Sequence, residues 1–393
     1  MNTKQLKPGD SVLIESKALG TLIRWLRQEG YSVIGPTIRD NAITLGPIEN
    51  LGDLPLGWTD EQEAGRYRLT KRQDKAFFGY VVGPHSWKRF LHPPEVRLFA
   101  AVRQESSFKI LENEPPPSPY AFLGVRGCDL AAIKTQDRVL LQDKFVDGIY
   151  QGRRRDNFIV AVSCTQAAPT CFCSSMGTGP KAEGDFDLCL TELILPQAHR
   201  LLVEIGSPKG VHAIEALEHT EASQDDCQQA AEAVGKAANM IKRRLDKTGI
   251  RELIYNNLEN PHWDQIATRC LNCANCTMVC PTCFCTTVQD VTDLTGAHAE
   301  RWRKWDSCFN TEFSYIHGGS IRISAKSRYR QWFVHKLATW YDQFGSSGCV
   351  GCGRCITWCP VGIDITEEAR VFREVDGSQA ASRSPDSPQS LSP

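Results

Sequence analysis

The first half of the chain alternates between short apolar runs and helix-like patterns. Apolar residues recur at helical spacing over 21–28, and the pattern stops before Gly30. Runs that predict strands are short, apolar and bounded by Gly, Pro or polar residues; they lie at 31–34, 77–82, 96–102, 120–125 and 158–162. Because strands and helices alternate from about residue 96, the pattern predicts a partly parallel, doubly wound α/β sheet.

Two cysteines lie at the predicted carboxyl ends of strands, where ligands bind in sheets of this kind. Cys128 follows the strand at 120–125, and Cys164 follows the strand at 158–162. Asp129 is predicted to be the N-cap of a helix that runs through residue 141. Further along, Cys171 and Cys173 form a C-x-C pair before a Gly-rich turn. Such a turn can hold a metal or an anion, or it can simply bury two thiols, and the residues alone leave these alternatives open.

The clearest helical pattern lies at 225–245, with acidic residues at its start and basic residues near its end. It precedes a predicted domain boundary. We expect a mixed α/β domain over 1–255, a second domain over 256–371 and a disordered tail over 372–393. The tail is rich in Ser and Pro and cannot bury apolar surface.

Two stretches in the last third of the chain have the spacing C-x₂-C-x₂-C-x₃-C-P. This spacing holds [4Fe–4S] clusters in bacterial ferredoxins, in which the fourth cysteine ligates the other cluster. The first motif is Cys270, Cys273, Cys276 and Cys280, and the second is Cys349, Cys352, Cys355 and Cys359. The spacing therefore predicts one cluster on Cys270, Cys273, Cys276 and Cys359, and another on Cys349, Cys352, Cys355 and Cys280.

A structural zinc site is the alternative interpretation of these cysteines. Zinc takes four ligands in a closed tetrahedron, usually from two C-x₂-C pairs. Each motif here offers a triplet and a fourth Cys before Pro, which fits zinc less well. Arg269 and Arg354 lie within the motifs, either as charges that favour the reduced clusters or as solvated surface charges.

The segment between the motifs, from Cys280 to Cys349, is much longer than in a small ferredoxin. A helix is predicted over 328–344, residues 287–294 are ambiguous, and the segment as a whole is predicted to be largely helical. The predicted fold is thus an N-terminal mixed α/β domain followed by a C-terminal α-helical ferredoxin-type dicluster module.

Composition narrows the class of protein. The 393 residues carry a net charge of −1, which gives no electrostatic footprint for nucleic acid. No apolar run is long enough to span a membrane, and the first ten residues have no apolar signal core. Seventeen cysteines without a secretion signal are typical of a reduced, cytoplasmic metalloprotein rather than of a disulfide framework.

Four further motifs accompany the paired cysteine motifs: GVRGCDL at 124–130, TCFCSSMGT at 170–178, CPTCFC at 280–285 and WDSC at 305–308. Together they resemble the iron–sulfur β subunit of cytosolic sulfhydrogenases, which are NAD(P)-linked [NiFe] hydrogenases. They also resemble the related iron–sulfur subunit of anaerobic sulfite reductase. The resemblance covers roughly residues 75–365.

The resemblance implies an electron-transfer protein with two [4Fe–4S] clusters and no catalytic residues of its own. Its implied partners are a catalytic subunit of hydrogenase or sulfite reductase type and a flavin- and NAD(P)-binding subunit. The N-terminal domain is expected to dock partners and shield the clusters. The competing hypotheses are a zinc-binding scaffold and a flavin-binding N-terminal domain, although no dinucleotide fingerprint is present. Whether Cys128, Cys171, Cys173, Cys283, Cys285 or Cys308 binds a further cofactor stays open.

Overall fold

A computed structural model describes residues 5–111, 118–142 and 144–382. The strands in this part of the chain are β1 (Ser11–Glu15), β2 (Ser32–Arg39), β3 (Ala42–Pro47), β4 (Trp58–Glu63), β5 (Arg66–Lys71), β6 (Glu95–Gln104), β7 (Ser107–Leu111), β8 (Tyr120–Arg126), β9 (Phe158–Val162), β10 (Leu188–Leu195), β11 (Ala198–Ile205), β12 (Thr220–Glu221), β13 (Thr286–Thr292), β14 (His298–Trp305), β15 (Tyr315–Ile316) and β16 (Gly319–Ser320).

The α-helices are α1 (Ala18–Gln28), α2 (Lys88–Leu91), α3 (Gly127–Leu140), α4 (Gly148–Arg154), α5 (Cys173–Met176), α6 (Pro208–Glu215), α7 (Gln224–Met240), α8 (Ile250–Asn256), α9 (His262–Arg269), α10 (Asn275–Met278), α11 (Ala325–Val334), α12 (Trp340–Phe344), α13 (Arg354–Thr357) and α14 (Ile365–Ser382). Short 3₁₀ turns lie at Leu51–Asp53 and Glu312–Ser314, and a π-helical segment, His335–Thr339, joins α11 to α12.

The largest sheet has eight strands in the order β12-β1-β11-β10-β9-β8-β2-β3. Its central strands β2, β8, β9 and β10 pair in parallel, and the outer strands pair antiparallel. All five residues of β9 are buried, as expected for a central parallel strand covered on both faces. Helix α1 packs Leu19, Leu22 and Leu26 into the main core, in agreement with its predicted helical period. A partly parallel sheet with mixed α/β content is therefore present.

Helix α3 begins three residues earlier than predicted. Its N-cap is Arg126, and Asp129 lies inside the first turn instead of capping the helix. The Asp129 carboxylate accepts a hydrogen bond from Arg354 at 2.9 Å. The predicted N-cap is thus wrong because a distant cation, rather than the local backbone, binds this side chain.

The strand predicted over 77–82 is wrong. These residues are buried and have no strand partner. Side-chain carboxylates replace the missing ladder: Glu192 accepts hydrogen bonds from the Phe77 and Phe78 amides at 2.7 and 2.9 Å, and Asp60 accepts one from the Val81 amide at 2.7 Å. Buried amides need acceptors but not sheet neighbours, so an apolar run alone does not specify a strand.

The helix predicted over 225–245 ends at Met240. The backbone becomes extended at Ile241, and Ile241 and Leu245 are buried in two different apolar clusters. Tertiary packing of these two side chains therefore overrides the helical period over 241–245.

The predicted helical insert is wrong for its first half and confirmed for its second. Strands β13 and β14 form a hairpin, and β14 pairs with β6, which gives the sheet order β13-β14-β6-β7. The turn contains Gly296 at φ +67, a conformation that favours glycine. Helices α11 and α12 with the π segment occupy the region predicted as 328–344. One sheet thus combines strands from both halves of the chain.

The last described helix, α14, continues through Ser382, beyond the start predicted for the disordered tail at 372. Phe372 is fully buried there in the core that contains Trp263 and Phe333, which holds this part of the helix in place. The remainder of the predicted tail, 383–393, lies outside the described residues, as do residues 115–117 of the Pro-rich connector. Within the described ranges, no helix is long and apolar enough to cross a membrane.

Asp60 on β4 is a buried carboxylate between two parts of the fold. Its oxygens accept hydrogen bonds from the Val81 amide and the Gln62 side chain. Burial raises the pKa of Asp60 to about 6, against the smaller lowering effect of these hydrogen bonds. Because the folded protein holds this proton more tightly than the unfolded chain, the contribution of Asp60 to stability falls as the pH rises from about 4 to about 6.

We expect Asp60→Asn to remove this dependence. From about pH 5 to about pH 7, the wild type should lose about 1 kcal/mol of unfolding free energy that Asp60→Asn does not lose, since the substituted amide does not ionise. Chemical denaturation under anaerobic conditions measures it. Glu61→Gln, an exposed change on the same strand, is the matched control. Parallel pH curves for Asp60→Asn and the wild type would contradict the prediction.

Candidate metal centre

The first predicted ligand set surrounds one cavity. Cys270, Cys273, Cys276 and Cys359 all line it, together with Cys355 of the second motif. Cys270 directly follows α9, and Cys276 lies on α10. Between them the chain curls through two left-handed residues, Asn272 at φ 52 and Ala274 at φ 64, which turns the thiols toward a common centre. The fourth thiol, Cys359, comes from the other motif.

Apolar and aromatic side chains form the inner wall of this cavity. Phe309, Tyr329 and Trp332 form part of its wall, and all three are buried. The Ile363 amide donates a hydrogen bond to Cys359 Sγ at 3.3 Å. A wall of this kind limits water at the sulfurs, and amide donors to sulfur are among the groups that set cluster potentials.

The second predicted ligand set also gathers in one place. The thiols of Cys349, Cys352 and Cys355 are each close enough to Cys280 to interact with it electrostatically. The Gly351 amide donates a hydrogen bond to Cys349 Sγ at 3.4 Å. The structure thus brings the fourth cysteine of each motif to the triplet of the other, which is the predicted pairing. That these eight thiols bind iron stays a prediction.

A buried lysine faces the second set. Lys336 is 3% exposed, and its ammonium group donates hydrogen bonds to Thr282 Oγ1 at 2.5 Å and the Gly348 carbonyl at 3.0 Å. Burial lowers the pKa of Lys336, but the thiols of Cys280, Cys283 and Cys349 outweigh that effect and raise it. A hydrogen bond with Cys283, together with the Lys336 charge, lowers the pKa of Cys280. This site is therefore prepared for negatively charged sulfur.

Arg354 of the second motif is not a solvated surface charge. It is 2% exposed, pairs with Asp129 at 2.9 Å and donates to the carbonyls of Gly83 and His85 at 3.0 and 3.1 Å. The alternative of a solvated charge is wrong for this residue, because the motif is buried against the N-terminal half of the chain. Arg269 is half exposed and pairs with Glu368 at 2.6 Å.

Sequence reasoning assigned no chemistry to residues 1–80, yet the β4–β5 hairpin supports the second motif. The Gln62 side chain accepts a hydrogen bond from Thr357 at 2.8 Å. Tyr67 stacks on Trp358 with 5.0 Å between ring centroids. In the sequence Asp60 and Gln62 merely alternate with Glu61 and Glu63, which is too weak a signal to single them out.

The remaining cysteines of the resembling motifs form two further groups. Cys128, Cys171 and Cys173 pack in one buried cluster, with Cys352 against it. Cys283, Cys285 and Cys308 lie near Lys336, and Lys88 is near the first two. Over the described residues, no three His, Cys, Asp or Glu side chains are gathered closely enough to hold a single metal ion.

Comparison with known proteins bears on these groups. The 4Fe-4S dicluster domain family matches residues 269–363, a range that contains both motifs. The chain is 34% identical over 296 residues to sulfhydrogenase 2 subunit beta of Pyrococcus furiosus, which covers 74% of this chain and 84% of the relative. No solved structure matches the chain.

Gly351 tests how closely the second motif packs on the loop at 170–173. It has φ +67, and an added Cβ would lie 2.7 Å from the Phe172 carbonyl oxygen and 2.8 Å from two Cys173 backbone atoms. Gly345 has a similar φ of +66 but open space around it, so Gly345→Ala is a matched control. We expect Gly351→Ala to lower the unfolding free energy by about 1–3 kcal/mol more than the control, because overpacking adds to the cost of the backbone conformation.

Chemical denaturation of both variants, with iron content measured on the same samples, checks this expectation. Gly351→Ala should also lose part of its iron, since the clash displaces the backbone beside Cys352. Equal stability of the two variants would show that the loop yields to a methyl group and does not hold the motif in position.

Proposed function

The chain belongs to the family of sulfhydrogenase β subunits, and from that premise we propose that it carries two [4Fe–4S] clusters and relays electrons between a flavin- and NAD(P)-binding subunit, on one side, and a catalytic [NiFe] hydrogenase subunit, on the other. The observation that carries the proposal is the exchange of fourth cysteines: Cys359 reaches the first triplet, and Cys280 reaches the second. Two thiol sets built in this way are neighbours by construction, which suits transfer between them.

The residues present fit the proposed clusters. Each set offers four cysteines, and burial raises the pKa of thiols such as Cys276 and Cys349, so that they become thiolates only when positive charge is nearby. Bound iron supplies such charge, and each cluster would take up and release one electron at a time. The protein holds the sulfurs, excludes water with aromatic walls and places Lys336 beside the second set.

The two sets differ in their access to solvent. Cys273 is exposed, and Leu271 and Val361, which line the same cavity, are 63% and 40% exposed. Cys349, Cys352 and Cys355 are less accessible, and Cys352 packs against the apolar cluster of the N-terminal half that contains Val81 and Cys128. We therefore place one point of electron exchange with a partner beside Cys273, where an apolar rim surrounds the thiol.

A second exposed surface supports a role within a larger complex. One face of the sheet β13-β14-β6-β7 exposes large apolar side chains, a feature of protein interaction sites; they are Phe99, Phe108, Ile110 and Val288. We propose that this surface docks a partner subunit, that residues 1–255 assist docking and shield the clusters, and that residues 256–371 form the dicluster module. No nucleic acid is involved.

Membership of an anaerobic sulfite reductase complex is the second candidate. The same relay would then serve a sirohaem-containing partner in place of one with nickel and iron. The similarity to a protein named as a sulfhydrogenase subunit favours the first candidate. Purification of the native complex under anaerobic conditions separates the two: nickel supports a hydrogenase partner, and sirohaem supports a reductase partner.

In anaerobically purified protein, we expect the two thiol sets of each chain to hold about eight iron and about eight acid-labile sulfide in total. Cys276→Ala and Cys359→Ala should remove the same cluster signal in electron paramagnetic resonance, although these residues belong to different motifs. Cys352→Ala should remove the other signal. Cys227→Ala, on α7 outside both sets, is the control.

Zinc in place of iron, or iron whose loss does not follow these variants, would contradict the relay. If Cys359→Ala and Cys352→Ala removed the same signal, each motif would instead ligate its own cluster.

Lys336 gives a test of how the protein sets the second cluster's potential. Lys336→Met removes a buried positive charge, so the reduced and more negative cluster should be harder to form. At an effective dielectric constant of about 20, a unit charge about 4 to 10 Å away is worth about 4 to 2 kcal/mol, so we expect the midpoint potential to fall by about 70–180 mV. Redox titration measures it, with Lys326→Met on α11, partly exposed and paired with Asp264, as control. An unchanged or higher potential would be the opposite of this expectation.

A further inference from the structure

Four cysteines outside the two ligand sets converge from separate parts of the sequence. Cys128 lies in the first turn of α3, directly after β8, and Cys164 follows β9, the neighbouring parallel strand. Cys173 begins α5, and Cys171 lies two residues before it. Because carboxyl ends of parallel strands open at one edge of a sheet, the fold brings Cys128 and Cys164 to the same edge as the loop at 171–173.

Contacts bring these residues together. Cys128, Cys171 and Cys173 are each 7% exposed and belong to one packed cluster whose other members are apolar, among them Val81, Val82 and Ala132. Gly179 lies between two of them: a Cβ built on it would be 3.3 Å from Cys173 Sγ and 3.8 Å from the Cys128 amide nitrogen. Pro180 follows Gly179 in the chain, and its carbonyl accepts a hydrogen bond from the Cys164 amide at 2.9 Å. The Cys164 thiol interacts electrostatically with those of Cys171 and Cys173.

Arg126 faces this group without a carboxylate partner. It is 2% exposed, its Nη2 donates to the carbonyls of Phe78 and Tyr80, and its Nη1 lies 3.9 Å from Cys164 Sγ. Among the described residues Arg126 is in no ion pair, and its buried Nε has no hydrogen-bond partner. The carboxyl groups of Glu192 and Asp60 attract it only from a greater distance. A buried cation is costly unless an anion is close, and a metal-bound thiolate at Cys164 would be that anion.

The group is in contact with the second motif. The Phe172 amide donates a hydrogen bond to the Gly351 carbonyl at 2.9 Å, and the Thr170 carbonyl oxygen would lie 2.5 Å from a Cβ on Gly353. Cys352, a predicted ligand of the second cluster, packs against the same apolar cluster as Cys128 and Cys173. A redox group held here would therefore neighbour the second cluster.

We propose that Cys128, Cys164, Cys171 and Cys173 bind a third [4Fe–4S] cluster, which extends the relay into the N-terminal half of the chain. Four thiolates are a complete ligand set for such a cluster. An electron gained by it would be lost by the cluster on the second set, so that one is reduced as the other is oxidised. The inference rests on the proposed function only for this electron partner. The other group of cysteines outside the two sets has only three thiols, one fewer than a complete ligand set, and the buried Lys336 already interacts with all of them; they are Cys283, Cys285 and Cys308.

Iron, sulfide and zinc analysis of the full chain, purified anaerobically and reconstituted with iron and sulfide, tests the proposal. We expect about twelve iron and twelve sulfide per chain. Cys164→Ala with Cys173→Ala should lose about four iron and leave the signals of the other two clusters in place. Cys189→Ala, another buried thiol on β10, should lose none. Cys285→Ala should also retain all iron.

A milder variant keeps the test decisive if the double variant does not fold. Cys173→Ser alone leaves three thiols, and we expect it to show the signal of a [3Fe–4S] cluster after oxidation. About eight iron in the wild type, with both dicluster signals present, would overturn the third site but leave the proposed function intact. If the double variant Cys164→Ala with Cys173→Ala lost zinc, the site would be a zinc site and the proposal would be wrong. Loss of iron from Cys285→Ala would also overturn it. Fewer than about eight iron in the wild type would count against the relay itself.

Discussion

The docking of the second cysteine motif against the N-terminal half is the contact on which the rest of the structure depends. The Arg354–Asp129 pair is buried on both sides, and breaking such a pair by removing one partner typically costs about 3–5 kcal/mol. Around it the two backbones approach too closely for side chains at Gly351 and Gly353. Because Cys352 and Cys355 flank these residues, the position of the thiols is fixed by a surface that the ferredoxin-type spacing does not encode.

This dependence is mutual, because each motif donates its last cysteine to the other's triplet. The first set needs Cys359 to be held in position, and the β4–β5 hairpin fixes the turn that follows α13 through Tyr67 and Trp358. The second set needs Cys280, whose neighbours Pro281 and Cys283 accept hydrogen bonds from Gln136 of α3. The N-terminal half thus contacts the chain near both crossover cysteines, and displacement of either contact would disturb both sets.

Buried positive charge is the second feature that unites the thiol groups. Lys88, Lys336, Arg126 and Arg354 are each at most 5% exposed, and of these four only Arg354 has a carboxylate partner among the described residues. Lys88 lies 3.9 Å from the Trp305 ring centroid and interacts with Cys283 and Cys280. Cations in such surroundings are stable when anionic sulfur is close. These cations lie near every cysteine group except the first set. The sequence pattern could not reveal this arrangement, because each cation comes from a different part of the chain.

Local chemistry explains which features the sequence predicted. The motif spacing specified which thiols would meet, since two residues between cysteines and a Pro turn act within a few positions. The helical pattern at 21–28 and the apolar runs at 120–125 and 158–162 likewise depend on neighbours in sequence, and they correspond to α1, β8 and β9. The failures lie where a remote group decides the outcome: Arg354 binds Asp129, Glu192 and Asp60 satisfy the amides at 77–81, and β6 recruits β14 into a sheet.

The β13–β14 hairpin shows why this distinction matters for function. It directly follows Cys285 and ends at Trp305, three residues before Cys308, so it projects from the cysteine-rich core. A ferredoxin-type module that only shielded its clusters would need no such hairpin, and Val288 and Val291 would gain nothing from exposure. Pairing with β6 instead anchors the hairpin to the N-terminal half and places Val288 on the same sheet face as Phe99, Phe108 and Ile110. The segment that lengthens the module between its two motifs therefore carries part of the exposed apolar surface that we propose as a docking site.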